Sequence, residues 1–283
     1  MFVNKVVLPV AGKGTRLLPV TKEQPKEMLP IFSNDKNNKN RVVPMIQLIY
    51  EQLYSLKLRN FCFIVGKNKR IIKDHFTLDE SILKIDKKTP QIKEILDFYK
   101  KINTSTNVWV NQSEPKGFGH AVLQAKSFVG DDRFLLHAGD TIILSKKNSY
   151  FKKLLDCHQK NKAMASFIVI EIEDPHMYGV IDGKIRENII QVTNLEEKPE
   201  KPKTNLAIMP LYIFEPIIFK YLKKTKPKKN NEIQLTDAIA LMVKDNLPVY
   251  AINLTKKIIQ LDIGNPESYW NSLKISHDSQ IKY

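Results

Sequence analysis

The sequence predicts an α/β fold: a single Rossmann-like sheet, mixed but mainly parallel, flanked by helices. Three observations predict it. Residues 3–10 are apolar and β-branched apart from Asn4, Lys5 and Pro9, as a strand covered on both faces requires. The period then changes: Met45, Leu48, Ile49, Leu53 and Leu56 keep helical spacing, and residues 61–65 are again a short apolar run. Strand, helix and strand in alternation imply a parallel sheet with right-handed crossovers. Further on, the apolar run 134–137 ends in Ala138-Gly139-Asp140, and the carboxyl end of a central strand is where open α/β sheets place ligands.

Taken in order, the first strand runs into Ala11, Gly12, Gly14 and Thr15. Glycines there let the backbone turn and bring its N–H groups close to a ligand. Arg16 and Lys26 add two cations near the same turn, so the stretch suits a polyphosphate. The dinucleotide fingerprint fails, because its third glycine would fall at Leu17, and no Gly-Lys-Ser/Thr follows at P-loop spacing. Residues 33–41 are uniformly polar and are expected as a mobile surface loop. His75 has no Asp, Cys or Ser partner in a recognisable arrangement and reads as structural. Ile92, Ile95, Leu96, Tyr99 and Ile102 predict a helix over 91–102, followed by a strand at 107–111. Gln112 to Ala121 is a strand-turn-helix connection, with Ala121, Val122, Ala125 and Phe128 on the inward face. A helix over 150–158 and a strand over 163–171 follow. Leu235, Ala238, Ile239 and Met242 mark a last amphipathic helix, and residues 258–261 a strand that ends at Asp262.

Composition is that of an ordinary globular protein, 42% hydrophobic and 27% charged. No apolar run approaches membrane-spanning length, and the first residues lead directly into a strand rather than a secretion signal. Cys62 and Cys157 stand in no metal-binding spacing and are expected as reduced core residues, which suits the cytoplasm. The net charge of +15 is spread through the chain as lysine pairs: 87–88, 100–101, 146–147, 152–153, 223–224, 228–229 and 256–257. No basic stripe with interleaved aromatics forms, so neither nucleic acid nor a membrane is an expected partner.

The opening stretch, Gly12-Lys13-Gly14-Thr15-Arg16 with Pro19 and then Pro25-Lys26, resembles the signature of sugar-1-phosphate nucleotidyltransferases, G-x-G-T-R-x-x-P followed by P-K. Within them, Thr21-Lys22 through Pro30 is similar to T-K-x-x-P-K-E-M-L-P of the bacterial-type UTP–glucose-1-phosphate uridylyltransferases. Further resemblance lies in Gln112 to Ala121, Tyr178-Gly179-Val180-Ile181, Glu196-Glu197-Lys198-Pro199 and Asn231 to Ile239. It covers the chain from about Lys5 to about Trp270. It implies the nucleotide-diphospho-sugar transferase fold over a single domain, 1–283, with a nucleotide-binding half to about 145 and a sugar-binding half beyond.

By resemblance, Arg16, Lys26 and Asp140 are catalytic. Ala11, Gly12, Gly14, Thr15, Gln112 and Gly117 bind the nucleotide. Tyr178, Gly179, Glu197, Lys198 and Asn205 bind the sugar phosphate, and Asp140 and Asp262 ligate Mg²⁺. The partners are a nucleoside triphosphate and a sugar 1-phosphate, and a homo-oligomer is implied. Two departures stand out: Thr141 replaces a second Asp, and Pro210-Leu211-Tyr212 replaces G-R-Y. UTP or dTTP, and glucose 1-phosphate or its N-acetylglucosamine counterpart, remain open. So does a non-catalytic sugar-nucleotide sensor on the same fold.

Overall fold

The structure, a computed structural model, describes residues 3–35, 37, 39–67, 69–85, 89–145, 148–228, 231–255 and 258–278. Strand β1 (Lys5–Val10) is buried from Val6 onward. Short 3-10 turns lead from it to an antiparallel hairpin, β2 (Pro30–Asn34) and β3 (Asn40–Pro44). Helix α1 (Met45–Ser55) is buried from Met45 to Leu53. Then come β4 (Asn60–Gly66), α2 (Arg70–His75), α3 (Pro90–Asn103) and β5 (Thr106–Gln112). The turn after β5 opens α4 (Phe118–Gln124) and α5 (Lys126–Val129), followed by β6 (Phe134–His137), β7 (Thr141–Leu144) and α6 (Ser149–Lys160). Beyond these lie β8 (Ala165–Glu171), β9 (Gly179–Arg186), β10 (Ile189–Glu197), β11 (Leu206–Phe214), α7 (Ile218–Lys224) and α8 (Leu235–Lys244). The chain continues through β12 (Val249–Asn253), β13 (Ile259–Asp262) and α9 (Pro266–Asp278).

The main sheet has the order β5-β4-β1-β6-β11-β8-β12-β10-β9. Its first four strands are parallel. Beyond them β11 runs antiparallel to both β6 and β8, β12 is parallel to β8, and β10 is antiparallel to β12 and β9. The fold is therefore mixed α/β, and the expectation of a mainly parallel sheet holds only for the half that begins the chain. One of these antiparallel pairings has a local cause: β9 and β10 are joined as a tight hairpin, Arg186 pairing with Ile189, with Glu187 at φ 55. A two-residue turn can only join antiparallel strands.

Alternation along β1 sends Val6, Leu8 and Val10 into one apolar cluster with Ile49 and Tyr50 of α1. Val7 faces the other, with Val122 of α4 and Leu222 of α7. Helices thus cover both faces of the parallel half, which is why β1 reads as continuously apolar. Cys62 and Cys157 are buried free thiols, and burial pushes them up to about 12 and about 11, so both are protonated near neutrality. His75 is structural: its Nε2 lies 2.9 Å from Gln47 Oε1.

One expectation is overturned. Residues 33 and 34 end β2 and residues 40 and 41 begin β3, so both ends of the polar run are strand rather than loop. Ser33 is fully buried and Asn34 nearly so. Residues 36 and 38 lie outside the described residues, as do Lys87-Lys88, Lys146-Lys147, Lys229 and Lys256-Lys257.

Candidate active site

The carboxyl ends of β1, β5 and β6 open on a cleft of about 650 Å³. Ala11, Gly12, Gly14, Thr15 and Arg16 from the turn after β1 line it, together with Lys26, Gln112 and Gly117. The opposite wall brings Tyr178, Gly179, Glu197 and Lys198, and the floor carries Asp140 and Asp262. Of the sequence-predicted site residues Asn205 is the exception. It is exposed just before β11, where its carbonyl accepts the Ile172 N–H at 3.0 Å, and it does not line the cleft.

The meeting of positions 140 and 262 has a simple cause. β7 and β13 form a separate antiparallel ribbon whose register sets Asp262 opposite Thr141. The Ile263 N–H donates to the Asp140 carbonyl at 3.0 Å. Thr141 Oγ1 lies 3.1 Å from Asp262 Oδ1 and 3.4 Å from Asp140 Oδ1, so its hydroxyl stands between the two carboxylates. The residue that departs from the expected Asp therefore bridges the acids rather than adding a third charge.

Lys26 Nζ donates to Asp140 Oδ2. Burial opposes both charges most, but Asp140 with Glu27 and Asp262 holds the Lys26 ammonium above its ordinary range, and Lys26 with backbone and Thr141 hydrogen bonds holds the Asp140 carboxyl below it. Asp262 goes the other way. Burial and the neighbouring Asp140 raise it, and Lys26 offsets them only in part. Two close carboxylates with one cation between them favour a further positive charge. Among the described residues no third His, Cys, Asp or Glu joins them as a metal cluster. Two carboxylates are too few for a closed structural site, but they suit Mg²⁺, which keeps several waters and takes phosphate oxygens.

Under Lys26 is a residue that motif reading passed over. Glu27 is 1% exposed, and its carboxylate receives a hydrogen bond from Lys69 Nζ at 3.0 Å. Burial raises the Glu27 carboxyl, and Lys69 and then Lys26 pull it back. The pair ties the Pro25–Leu29 turn to the segment after β4.

At the turn after β5, Gly117 has φ 92, and a Cβ there would come within 2.8 Å of the Ile233 carbonyl. Only glycine fits both the dihedral and the space. The Gly119 N–H donates to Ile233 O at 2.9 Å, and the Ile233 N–H donates to Lys116 O at 2.8 Å. The segment before α8 is thus laced to the turn before α4. Gln112 Nε2 donates to Gly117 O at 3.3 Å and meets His120 Nδ1 at 2.9 Å, which leaves Oε1 as its uncommitted group among the described residues. The Gln112 nitrogen is thus spent within the protein, and only its oxygen is left to face a ligand.

On the opposite wall, Glu197 ends β10 opposite Gly179 of β9. Lys198 follows with φ 46 and donates its N–H to the Tyr178 carbonyl at 3.0 Å. Burial raises the Tyr178 phenol and Asp262 adds to this, while Arg16 opposes it. Tyr178 therefore feels both Asp262 and Arg16 across the cleft. Pro210 also lines the cleft, at a bulge in β11 between Met209 and Tyr212, which is where a strand tolerates proline.

A family profile described as Nucleotidyl transferase matches residues 5–279. The chain is 38% identical to a UTP–glucose-1-phosphate uridylyltransferase of Bacillus subtilis, over 84% of this chain and 79% of that one. It is 32% identical to the protein of the same name from Pseudomonas aeruginosa, over 99% and 98%. A crystal structure of UDP-glucose pyrophosphorylase complexed with UDP-glucose superposes with a TM-score of 0.84 at 31% identity, covering 98% of this chain and all of that one.

Proposed function

Because the chain belongs to the nucleotidyl transferase family, we propose that it joins UTP and glucose 1-phosphate to give UDP-glucose and pyrophosphate. The observation that carries this reading is the cleft itself. Two acids, Asp140 in the turn before β7 and Asp262 at the end of β13, are bridged by Thr141 and stand beside Lys26 at its floor, with a glycine turn on one wall and Glu197-Lys198 on the other.

The chemistry follows from charge. The attacking sugar phosphate has a second pKa of about 6 and is already an anion near neutrality, so no general base is required. The obstacle is repulsion between two polyanions. Unit charges about 4 Å apart repel by roughly 4 kcal/mol at an effective dielectric of 20, and several such pairs must approach. In this reading the backbone of residues 11–15 and Arg16 hold the triphosphate. Lys26 stabilises charge at the α-phosphorus, and Lys198 places the sugar phosphate in line with the departing pyrophosphate. Gln112 Oε1 accepts the imide N–H of the base, and Glu197 accepts sugar hydroxyls. Asp140 and Asp262 would hold Mg²⁺, which when bound offsets phosphate charge as a Lewis acid. The two halves of the chain, to about 145 and beyond it, correspond to nucleotide and sugar, and the working form is a homo-oligomer that sedimentation would reveal. Among the described residues no helix is long and apolar enough to cross a membrane.

The test is pyrophosphate release from UTP and dTTP crossed with glucose 1-phosphate and N-acetylglucosamine 1-phosphate. UTP with glucose 1-phosphate is expected to be fastest. A methyl group is worth about 1–3 kcal/mol in a pocket, so discrimination against dTTP of about 10- to 200-fold is expected. Faster turnover with another pair would reassign the substrates. No release from any pair, with sugar nucleotide still bound, would make the protein a sensor.

A further inference from the structure

We infer that Thr236 is a positioning residue for Glu197, and that it governs how tightly the sugar 1-phosphate is held. The inference rests on the reading of Glu197 as the acceptor of sugar hydroxyls. Thr236 is the second residue of α8 and is 6% exposed. Its Oγ1 donates to Glu197 Oε2 at 2.7 Å. The other oxygen, Oε1, lies 3.7 Å from Lys198 Nζ. One carboxylate oxygen is therefore anchored to a helix and the other stands on the side of the Lys198 ammonium. A free glutamate has three rotatable bonds, and tying one oxygen to a buried hydroxyl removes most of that freedom before the sugar arrives.

Gly179 closes the arrangement from the other side. A Cβ there would lie 3.0 Å from Thr236 Oγ1 and 3.2 Å from Glu197 Oε2, so the strand passes close to the pair and confines it. The contact is not a helix cap, because it reaches 39 residues back in the chain to the end of β10. It also gives α8 a task beyond packing Leu235, Ala238, Ile239 and Met242. The same segment braces the nucleotide turn through Ile233 and fixes the sugar-side acid through Thr236.

The test is steady-state kinetics of Thr236→Val, Thr236→Ser and Glu197→Gln. A hydrogen bond to a charged acceptor, once lost, corresponds to about a tenfold change or more. T236V is expected to raise KM for glucose 1-phosphate about tenfold or more and to leave KM for UTP within about twofold. T236S, which keeps the hydroxyl, is expected to restore the sugar KM. A merely structural role would lower the melting temperature and move both KM values together, and that result would overturn the inference. An unchanged sugar KM in T236V alongside a raised one in E197Q would overturn it while sparing the reading of Glu197. An unchanged sugar KM in E197Q would remove Glu197 from the sugar site and this inference with it. Thr236→Ala reads the same quantity if the valine variant does not fold.

Discussion

At the scale of single residues, Lys26 is the side chain on which most depends. Its ammonium faces Asp140 in a partly covered site, with Glu27 behind it and Asp262 close enough to matter. A cation fixed in a dry site before substrate arrives costs no reorganisation when charge develops, which is why such groups are worth far more there than in water. Lys26→Ala is expected to lower kcat by about 10² or more, with the far-UV circular dichroism spectrum unchanged. Unaltered turnover in a folded variant would take Lys26 out of the chemistry. That Lys26 and the two acids belong together was readable from motif resemblance. How they are joined was not: the hydroxyl of Thr141 lies between both carboxylates only because β13 pairs with β7 in one register, and register is a long-range property. Gln112 shows the same limit, since its nitrogen is claimed by Gly117 and His120, and no motif states which end of an amide is spent.

At the scale of elements, the turn carrying Lys26 is held from beneath by the Glu27–Lys69 pair. Their side chains are 2% and 9% exposed. Breaking a buried pair by removing one partner leaves an uncompensated charge and typically costs 3–5 kcal/mol. Lys69→Met is therefore expected to reduce stability by about 3 kcal/mol, read from the urea midpoint at constant m-value. It should also lower activity, because the Pro25–Leu29 turn loses its tie to the segment after β4. A variant as stable as the wild type would show that the pair contributes nothing net. The elements most legible in the sequence were those whose apolar period is strict: β1, α1, β4, α3 and β6 all fall where their spacing predicts. The β9–β10 hairpin was not legible as a hairpin. β9 buries Val180 and Ile181 together and exposes Lys184 to Arg186 in a row, β10's alternation breaks at the bulge between Val192 and Asn194, and the turn at Glu187-Asn188 carries no glycine. The polar run 33–41 misled for the opposite reason, since Ser33 is buried by tertiary packing that composition does not register.

At the scale of the molecule, the antiparallel half is joined to the parallel half through β6 and β11, and a polar cluster spans that seam. His158 of α6 is fully buried, with Nδ1 3.0 Å from Ser166 Oγ of β8 and Nε2 3.2 Å from Glu215 Oε1 just beyond β11. Arg133, immediately before β6, donates Nε to the same Glu215 oxygen at 2.6 Å. Burial lowers the His158 imidazole to about 4; the Glu215 hydrogen bond works against this, but Arg133 already neutralises that carboxylate. The sign follows directly. Above pH of about 6.5 the imidazole is neutral in both folded and unfolded chains and the group has no effect. Between about 6.5 and about 4 the unfolded chain takes a proton that the folded chain refuses, so stability falls on acidification. The limiting slope is about 1.4 kcal/mol per pH unit for one group. Buried carboxylates with raised values, such as Glu27, act in the opposite sense, so the wild-type curve alone does not isolate the histidine. His158→Gln keeps a hydrogen-bonding side chain that does not titrate. Urea unfolding of both proteins from pH 7.5 to 5 should show the wild type losing stability faster than the variant as pH falls, and only below about 6.5. Parallel curves would mean that the imidazole titrates normally and that the seam admits its charge.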